Sequence, residues 1–342
     1  MNLNKIDIFK QILQKHPQQQ IKQQSNMHFA PINIALIKYW GKSDEKLNLA
    51  MTPSLSISSN YLGTNTQIFI SNDNEIIFNK RKIENNAFFK RTFDFINLWQ
   101  KALNIDLNLK IITKNNIPTA SGLASSASGF ASLTLALNDF FSLNLSPNEL
   151  SILARLGSGS ACRSVLKNSR FAVWNGDFAE PFNFSNQTKI ITNDMRIMII
   201  ILDENHKKTS SREAMQQTKT TWQNGKNYDY DVWLKQTKQD FIKIQNATTW
   251  QEFGEIVEKN SLLMHRAIRT AGIDYFNNKT NMIIEFAEKC RMNNLFIYTT
   301  IDAGANVVLL YQNKDTDNIK KALSKFENET KIKLKKLIFA LL

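Results

Sequence analysis

The stretch IPTASGLASSASGFASLTLALNDFF, residues 117–141, constrains the fold more than any other part of the chain. A run of Gly, Ser and Ala leads straight into an Ala- and Leu-rich helical segment. Such a join places small residues at the positively polarised start of a helix, where phosphate oxygens can approach backbone N–H groups. Gly122 gives the backbone freedom, Ala124 to Ala127 keep the side chains small, and Ser125 and Ser126 add hydroxyls for phosphate or Mg²⁺. On composition alone, a Gly/Ser loop packed against a neighbour is the commoner reading.

Two common nucleotide designs are excluded. Gly41-Lys42-Ser43 stands where a Walker-type loop would end, but the glycine required five places earlier is Leu36. No GxGxxG occurs either. Any nucleotide site is built differently.

Three further segments hold chemistry. Gly157 to Arg163 (GSGSACR) brings Ser158, Ser160 and Arg163 to one tight turn, with a guanidinium suited to a bidentate anion. The plain alternative is a capped helix end with a solvated Arg. Lys38-Tyr39-Trp40-Gly41-Lys42 sets two lysines and a tyrosine around an aromatic turn after a strand. By itself this reads as surface lysines beside a core Trp. Asp302-Ala303-Gly304-Ala305-Asn306 puts an acid at the end of an apolar strand. That is usually turn chemistry, but a pocket Asp facing a hydroxyl can act as a base. His16, His28, His206 and His265 show no ligand spacing and read as core or surface residues. Cys162 reads as a small buried residue rather than a nucleophile.

The chain has 342 residues, with 43 Lys+Arg against 30 Asp+Glu, a net charge of +13 that favours anionic partners without choosing among them. A nucleic-acid-binding module would need clustered basic residues; here the lysines are spread over the chain. Two cysteines make no disulfide framework, and no apolar run reaches membrane-spanning length, so a cytoplasmic protein without a membrane partner is expected. Residues 1–26 read as a polar leader: Ile6, Phe9, Ile12 and Leu13 fit one side of a short helix, but HPQQQIKQQSN is low in complexity. Strands are expected at 54–57, 67–70, 75–78, 107–112, 196–202, 295–300 and 306–311. Helices are expected at 86–103, from 146 to about 156, and at 211–222, 230–248, 250–270, 281–293 and 317–327. Without regular βαβ alternation the class is α+β, divided near 204 into 27–204 and 205–342.

In order, APINIALIKYWGK, IPTASGLASSASGF, GSGSACRS, KKTSSREAM, NSLLMH and TTIDAGAN closely resemble the diphosphomevalonate decarboxylase family of the GHMP kinase superfamily. The resemblance runs from about Ala30 to Leu310. PxxxGLxSSA alone points only to the superfamily; the other segments are specific to the decarboxylase branch. The resemblance implies two domains, an N-terminal one with a left-handed βαβ crossover and a C-terminal ferredoxin-like one, with a cleft between them. It implies ATP-dependent decarboxylation of mevalonate diphosphate to isopentenyl diphosphate, with phosphorylation of the tertiary hydroxyl preceding loss of CO₂. ATP and Mg²⁺ are the implied cofactors, and a homodimer is the implied assembly.

By the same resemblance Asp302 is the base or orienting group, Arg163 grips the substrate carboxylate with Asn33 beside it, and Lys38 lies near the transferring phosphoryl. Tyr39, Lys42, Ser160 and Arg212 would hold the diphosphate, with Ser158 nearby and Ser211 beside Arg212. Gly122, Leu123, Ala124, Ser125 and Ser126 match the ATP phosphate loop, with Ser126 at phosphate or Mg²⁺. Three places depart from the family pattern: Val165 to Ser169, Ala214 where Gly is usual, and the segment after His265. A related enzyme that only phosphorylates the 3-hydroxyl of mevalonate, or one that decarboxylates the monophosphate, is the nearest alternative.

Overall fold

The computed structural model describes residues 4–17, 20–84, 86–116, 125–166, 169–204 and 208–340. Its first half runs α1 (Lys5–Leu13), β1 (His28–Ile37), β2 (Lys42–Asp44), β3 (Leu49–Ala50), β4 (Ser54–Ile70), β5 (Glu75–Phe78), β6 (Arg81–Lys82), α2 (Ala87–Leu103), β7 (Leu109–Asn115), α3 (Ser125–Phe140), α4 (Pro147–Gly157), α5 (Ala161–Ser164), β8 (Phe171–Trp174) and β9 (Ala179–Pro181). The expected helix starts hold. Asn86 caps α2, and Ser146 with Glu149 forms a reciprocal capping box on α4.

The strands form a sheet ordered β6-β5-β7-β4-β8-β9, with β1 also on β4. β5 and β7 are parallel, joined through β6 and α2, while the other pairs are antiparallel. Two short strands were expected at 54–57 and 67–70, yet β4 is one long strand. The polar stretch between them reads as a turn, but β1 and β8 pair with the first half of β4, and β1 and β7 with the second. Pairing satisfies the backbone on either side of residues 59–62, and between them the Ser59 hydroxyl accepts from the Tyr61 and Leu62 N–H groups. Pro31 sits at a register shift of β1, a position that spares the missing N–H.

The leader is a second correction. Its polar run is largely exposed among the described residues, but the helix that precedes it is docked on the core. Asn4 and Asp7 cap α1 reciprocally, and Phe9 and Leu13 are fully buried. Phe9 meets Phe95 and Trp99 of α2 edge-on, and burying such side chains contributes about 1.5–3 kcal/mol each. Farther along, the Ser25 N–H donates to the Ile68 carbonyl at 2.9 Å and its hydroxyl accepts from the Ile68 N–H at 3.0 Å, so the run before β1 lies along β4.

The second half comprises α6 (Asn186–Asn193), β10 (Met195–Ile201), α7 (Ser211–Gln223), α8 (Tyr228–Ile244), α9 (Trp250–Thr270), α10 (Asn278–Met292), β11 (Tyr298–Thr300), β12 (Val307–Gln312), α11 (Thr316–Thr330) and β13 (Lys335–Ala340). Its sheet is ordered β11-β12-β10-β13. Neither α6, β8 nor β13 was expected from sequence. One apolar core joins the two halves, with Ile34 and Ile57 from the first sheet packing with Ile199 and Val308 from the second and Phe253 and Val257 of α9. Thr300 donates to the Ala35 carbonyl at 3.1 Å across this seam. The ends of β1 and β11 therefore meet, and Lys38 and Asp302 follow directly after them.

Candidate active site

The Lys38 ammonium lies 2.6 Å from an Asp302 carboxylate oxygen, residues 264 positions apart in sequence. Lys38 is only 1% exposed, whereas the Asp302 side chain is 26% exposed. Burial pushes the Lys38 pKa down and the Asp302 charge pulls it back, with Arg163 opposing. The arrangement is a buried lysine beneath a carboxylate that stays partly exposed.

α9 holds both members in place. Asn260 accepts from the Lys38 backbone N–H at 2.9 Å, while its amide donates to Thr237 and Asp240. Ser261 accepts from the Ile301 N–H at 2.9 Å and donates to its carbonyl at 3.1 Å. His265 Nε2 lies 3.1 Å from that same carbonyl, the residue before Asp302. Sequence reasoning placed no role on these three, although all of them stand in the NSLLMH segment. Nothing in a helix sequence announces which loop it will grip.

Burial drops the His265 pKa from 6.5 to about 3, so the ring is neutral and donates its Nε2–H. The sign of the consequence follows. Below pH 6.5 the unfolded chain takes up a proton that the folded one refuses, so stability is full above 6.5 and is lost as pH falls towards about 3. The slope is about 1.4 kcal/mol per pH unit for one group. Asp139 and Glu149, whose pKa values are lowered by hydrogen bonds, weaken the fold only at more acidic pH. Urea midpoints at about pH 6.5 and about pH 5 should fall for the natural chain and fall much less for His265→Gln, whose amide can still donate. Equal slopes for the two would refute this assignment.

Arg163 sits on α5, immobilised from both sides. Its guanidinium donates to Ser54 Oγ at 2.6 Å and to Asn33 Oδ1 at 3.2 Å, and Asn33 in turn donates to Ser164 Oγ at 2.6 Å and the Ser160 carbonyl at 3.1 Å. It is 2% exposed, and among the described residues no carboxylate lies within ion-pair distance of it. Its Nε has no partner among them. A buried guanidinium without a carboxylate is costly, and an incoming carboxylate would relieve that cost. Cys162 beside it is buried with its thiol pushed up to about 12, which suits a core residue, as expected.

Around these groups lie further donors and cations. The Tyr39 hydroxyl is buried without a partner among the described residues, and its ring packs on Trp174 at 4.7 Å. A Cβ on Gly159 would stand 2.6 Å from that hydroxyl, so the glycine permits the close approach. Gly41, at φ +92°, makes the turn that returns Lys42, and a Cβ there would strike Tyr230. Lys42 is 5% exposed, with its ammonium 3.2 Å from Glu45. Burial lowers its pKa and repulsion from Arg212 and Arg91 adds to this, offset by Glu45.

Arg212 and Lys42 line one open cavity of about 670 Å³ with Glu45 and Glu213. Ser211 opens α7 next to Arg212. Ser158 lies 3.4 Å from Ser126 Oγ, which ties the start of α3 to the GSGS turn. Ser160 precedes α5, its carbonyl held by Asn33. Gly122, Leu123 and Ala124 lie outside the described residues; Ser125 begins α3, and its side chain is likewise outside them. Ala214, where glycine was the family habit, is fully buried against Trp40 and Tyr230, so its methyl fills core space. The poorly matching segment after His265 continues α9 and anchors Asn227 through the Ala267 carbonyl. Arg91 of α2, not foreseen, donates to the Gly157 carbonyl at 3.0 Å, and Arg212 repels its charge.

Fold and site together define an α+β enzyme of the GHMP kinase class, a two-sheet body with a small-residue helix start beside a turn rich in anion donors and a Lys–Asp pair at the seam. Residues 30–180 match the diphosphomevalonate decarboxylase-like N-terminal domain, and residues 197–338 match the mevalonate 5-diphosphate decarboxylase C-terminal domain. Diphosphomevalonate decarboxylase mvd1 of Aspergillus fumigatus is 32% identical over 315 residues, covering 84% of this chain and 77% of the relative. The crystal structure of mevalonate diphosphate decarboxylase from Staphylococcus aureus superposes with a TM-score of 0.81 at 28% identity, covering 93% of this chain and 96% of the other. A structure of MDDEF in complex with MVAPP, AMPPCP and magnesium matches with a TM-score of 0.80 at 32% identity, covering 92% and 98%. The chain belongs to the diphosphomevalonate decarboxylase family.

Proposed function

We propose that this chain decarboxylates mevalonate 5-diphosphate at the expense of ATP, giving isopentenyl diphosphate, ADP, phosphate and CO₂. The observation that carries the reading is the Lys38–Asp302 pair placed near the buried Arg163, which has no ion-pair partner among the described residues. Asp302 orients the tertiary hydroxyl and accepts its proton while Lys38 neutralises charge building on the transferring phosphoryl group. Arg163, fixed by Ser54 and Asn33, holds the substrate carboxylate so that the C–C bond aligns with the departing phosphate. Tyr39, Lys42, Ser158, Ser160, Ser211 and Arg212 bind the diphosphate.

The start of α3 would hold the ATP phosphates, with Gly122 to Ser126 as the loop and the Ser126 hydroxyl at phosphate or Mg²⁺. The donor set fits such a group: Ser126 is exposed at the N-terminus of a helix and adjoins Ser158. A bound Mg²⁺ would neutralise phosphate charge there. The related structure that carries MVAPP, AMPPCP and magnesium supports the same substrate and nucleotide for this chain. Among the described residues no helix is long and apolar enough to cross a membrane, which accords with a cytoplasmic enzyme. Two copies associate as a homodimer in this reading, and sedimentation checks that point.

The test is direct. Purified protein is given Mg-ATP with mevalonate diphosphate, its monophosphate or mevalonate, and ADP and CO₂ are followed together. Equal release of both with the diphosphate alone is expected. ADP without CO₂ would make this a kinase, and CO₂ from the monophosphate would shift the substrate.

A further inference from the structure

α1 brings a lysine into the anion cavity. Lys5 lines the same space as Lys42 and Arg212, and its ammonium donates to the Leu156 carbonyl at 2.7 Å. Arg91 donates to the next carbonyl, that of Gly157. Two cations from different helices thus grip successive carbonyls at the C-terminal end of α4, immediately before Ser158 and Ser160. The match to the family's N-terminal domain begins only at residue 30, so Lys5 lies outside it.

We infer that Lys5 is a ligand of the substrate's terminal phosphate and that α1 is a wall of the active site, making the diphosphate preferred over a monophosphate. The inference rests on the decarboxylase reading for the substrate, and its physical content is the crowding of charge. Facing Lys5 are Lys42, Glu45 and Lys46 around β2, Arg91 on α2, and Arg212 and Glu213 on α7. Both carboxylates are engaged: Glu45 pairs with Lys42, and Glu213 caps α7 at Ser210. On α1 itself, Asp7 is used to cap Asn4. The cations therefore repel one another until a polyanion arrives. Burial, and then repulsion from Arg212, Lys42 and Arg91, lowers the Lys5 pKa to about 8. A bound diphosphate would restore its full charge.

The experiment uses the full chain with Lys5→Met, Lys5→Arg and, on the exposed side of α1, Lys10→Met. Calorimetry with inorganic pyrophosphate and inorganic phosphate measures the site itself; steady-state kinetics with mevalonate diphosphate measures its use. Lys5→Met should weaken pyrophosphate binding and raise the KM for the diphosphate by about 10-fold, with kcat and the KM for ATP unchanged. Lys5→Arg should stay within about 2-fold, and Lys10→Met should match the natural chain. In the natural chain kcat/KM should decline above about pH 8 as Lys5 loses its proton, and that limb should vanish in Lys5→Met. Hydrogen exchange over residues 5–13 reports whether α1 stays docked in each variant.

Unchanged affinity and KM in Lys5→Met, or a limb that persists in it, would overturn the inference. If Lys5→Met undocks α1, the Lys5→Arg value and the natural chain's pH limb decide. A natural chain that binds pyrophosphate through Lys5 yet releases no CO₂ would refute the decarboxylase reading instead.

Discussion

Asp302→Asn is expected to lower kcat for CO₂ release by about 10²–10⁴-fold while leaving the KM values for the diphosphate and ATP close to those of the natural chain. Asn is the sharper substitution because its carbonyl oxygen can still accept from the Lys38 ammonium, which lies 2.6 Å from Asp302 in the natural chain. It keeps the shape and removes both the charge and the basicity. Asp302→Ala would leave a lysine that is 1% exposed with no partner, and a fall in activity could then be a fall in folding. ADP and CO₂ release should decline together, since the proposed role of the carboxylate is at the phosphorylation that precedes decarboxylation. ADP at the natural rate with CO₂ lost would move Asp302 to the later step. Turnover of both products within about 10-fold of the natural rate would remove it from the chemistry.

Arg163→Gln should cut kcat by about 10²–10³-fold, the scale of losing one preorganised charge-stabilising group. The proposed diphosphate ligands are other residues, so its KM should change little. The stability of this variant should move the other way from its activity. Arg163 is buried, burial lowers its pKa, and no carboxylate among the described residues pairs with it. Replacing such a charge with a neutral amide that can still meet Ser54 and Asn33 should leave Tm unchanged or raise it. A large loss of Tm would mean that Arg163 is chiefly a structural tie between α5, β1 and β4. Arg163→Lys tests the geometry: one ammonium cannot reproduce the guanidinium's bonds to Ser54 and Asn33 while also gripping a carboxylate, so it should recover only part of the loss.

Much of this site was legible before the fold was known. Lys38, Arg163 and Asp302 each sit in a short segment whose composition is unusual for bulk structure, and the order of those segments carried the family. Their neighbours were not legible. Asn260, Ser261 and His265 lie on one face of α9 at helical spacing, a pattern shared with any amphipathic helix. That they hold Lys38 and the residue before Asp302 depends on where α9 docks. Arg91 is one of many cations on surface-type helices in a chain with a +13 balance, and charge composition cannot say which of them converge.

The leader shows the limit most plainly. The one-sided spacing of Phe9, Ile12 and Leu13 is legible in the sequence, but that this face packs on Phe95 and Trp99 of α2 is not. The long strand β4 reads as two in sequence because its two halves pair with strands distant along the chain, while its polar middle folds on Ser59.

The sequence by itself determined the α+β class, most helix and strand positions, the four conspicuous segments and the family they spell. These are local or order-dependent properties that a one-dimensional pattern carries. Tertiary structure decided that β1 and β11 end at the same seam, that Lys38 is buried against Asp302, that Arg163 has no ion-pair partner among the described residues, and that a lysine from the first helix lines the same cavity as Lys42 and Arg212. Each depends on distances between groups far apart along the chain, and those distances are set by how the two sheets and their helices share one core.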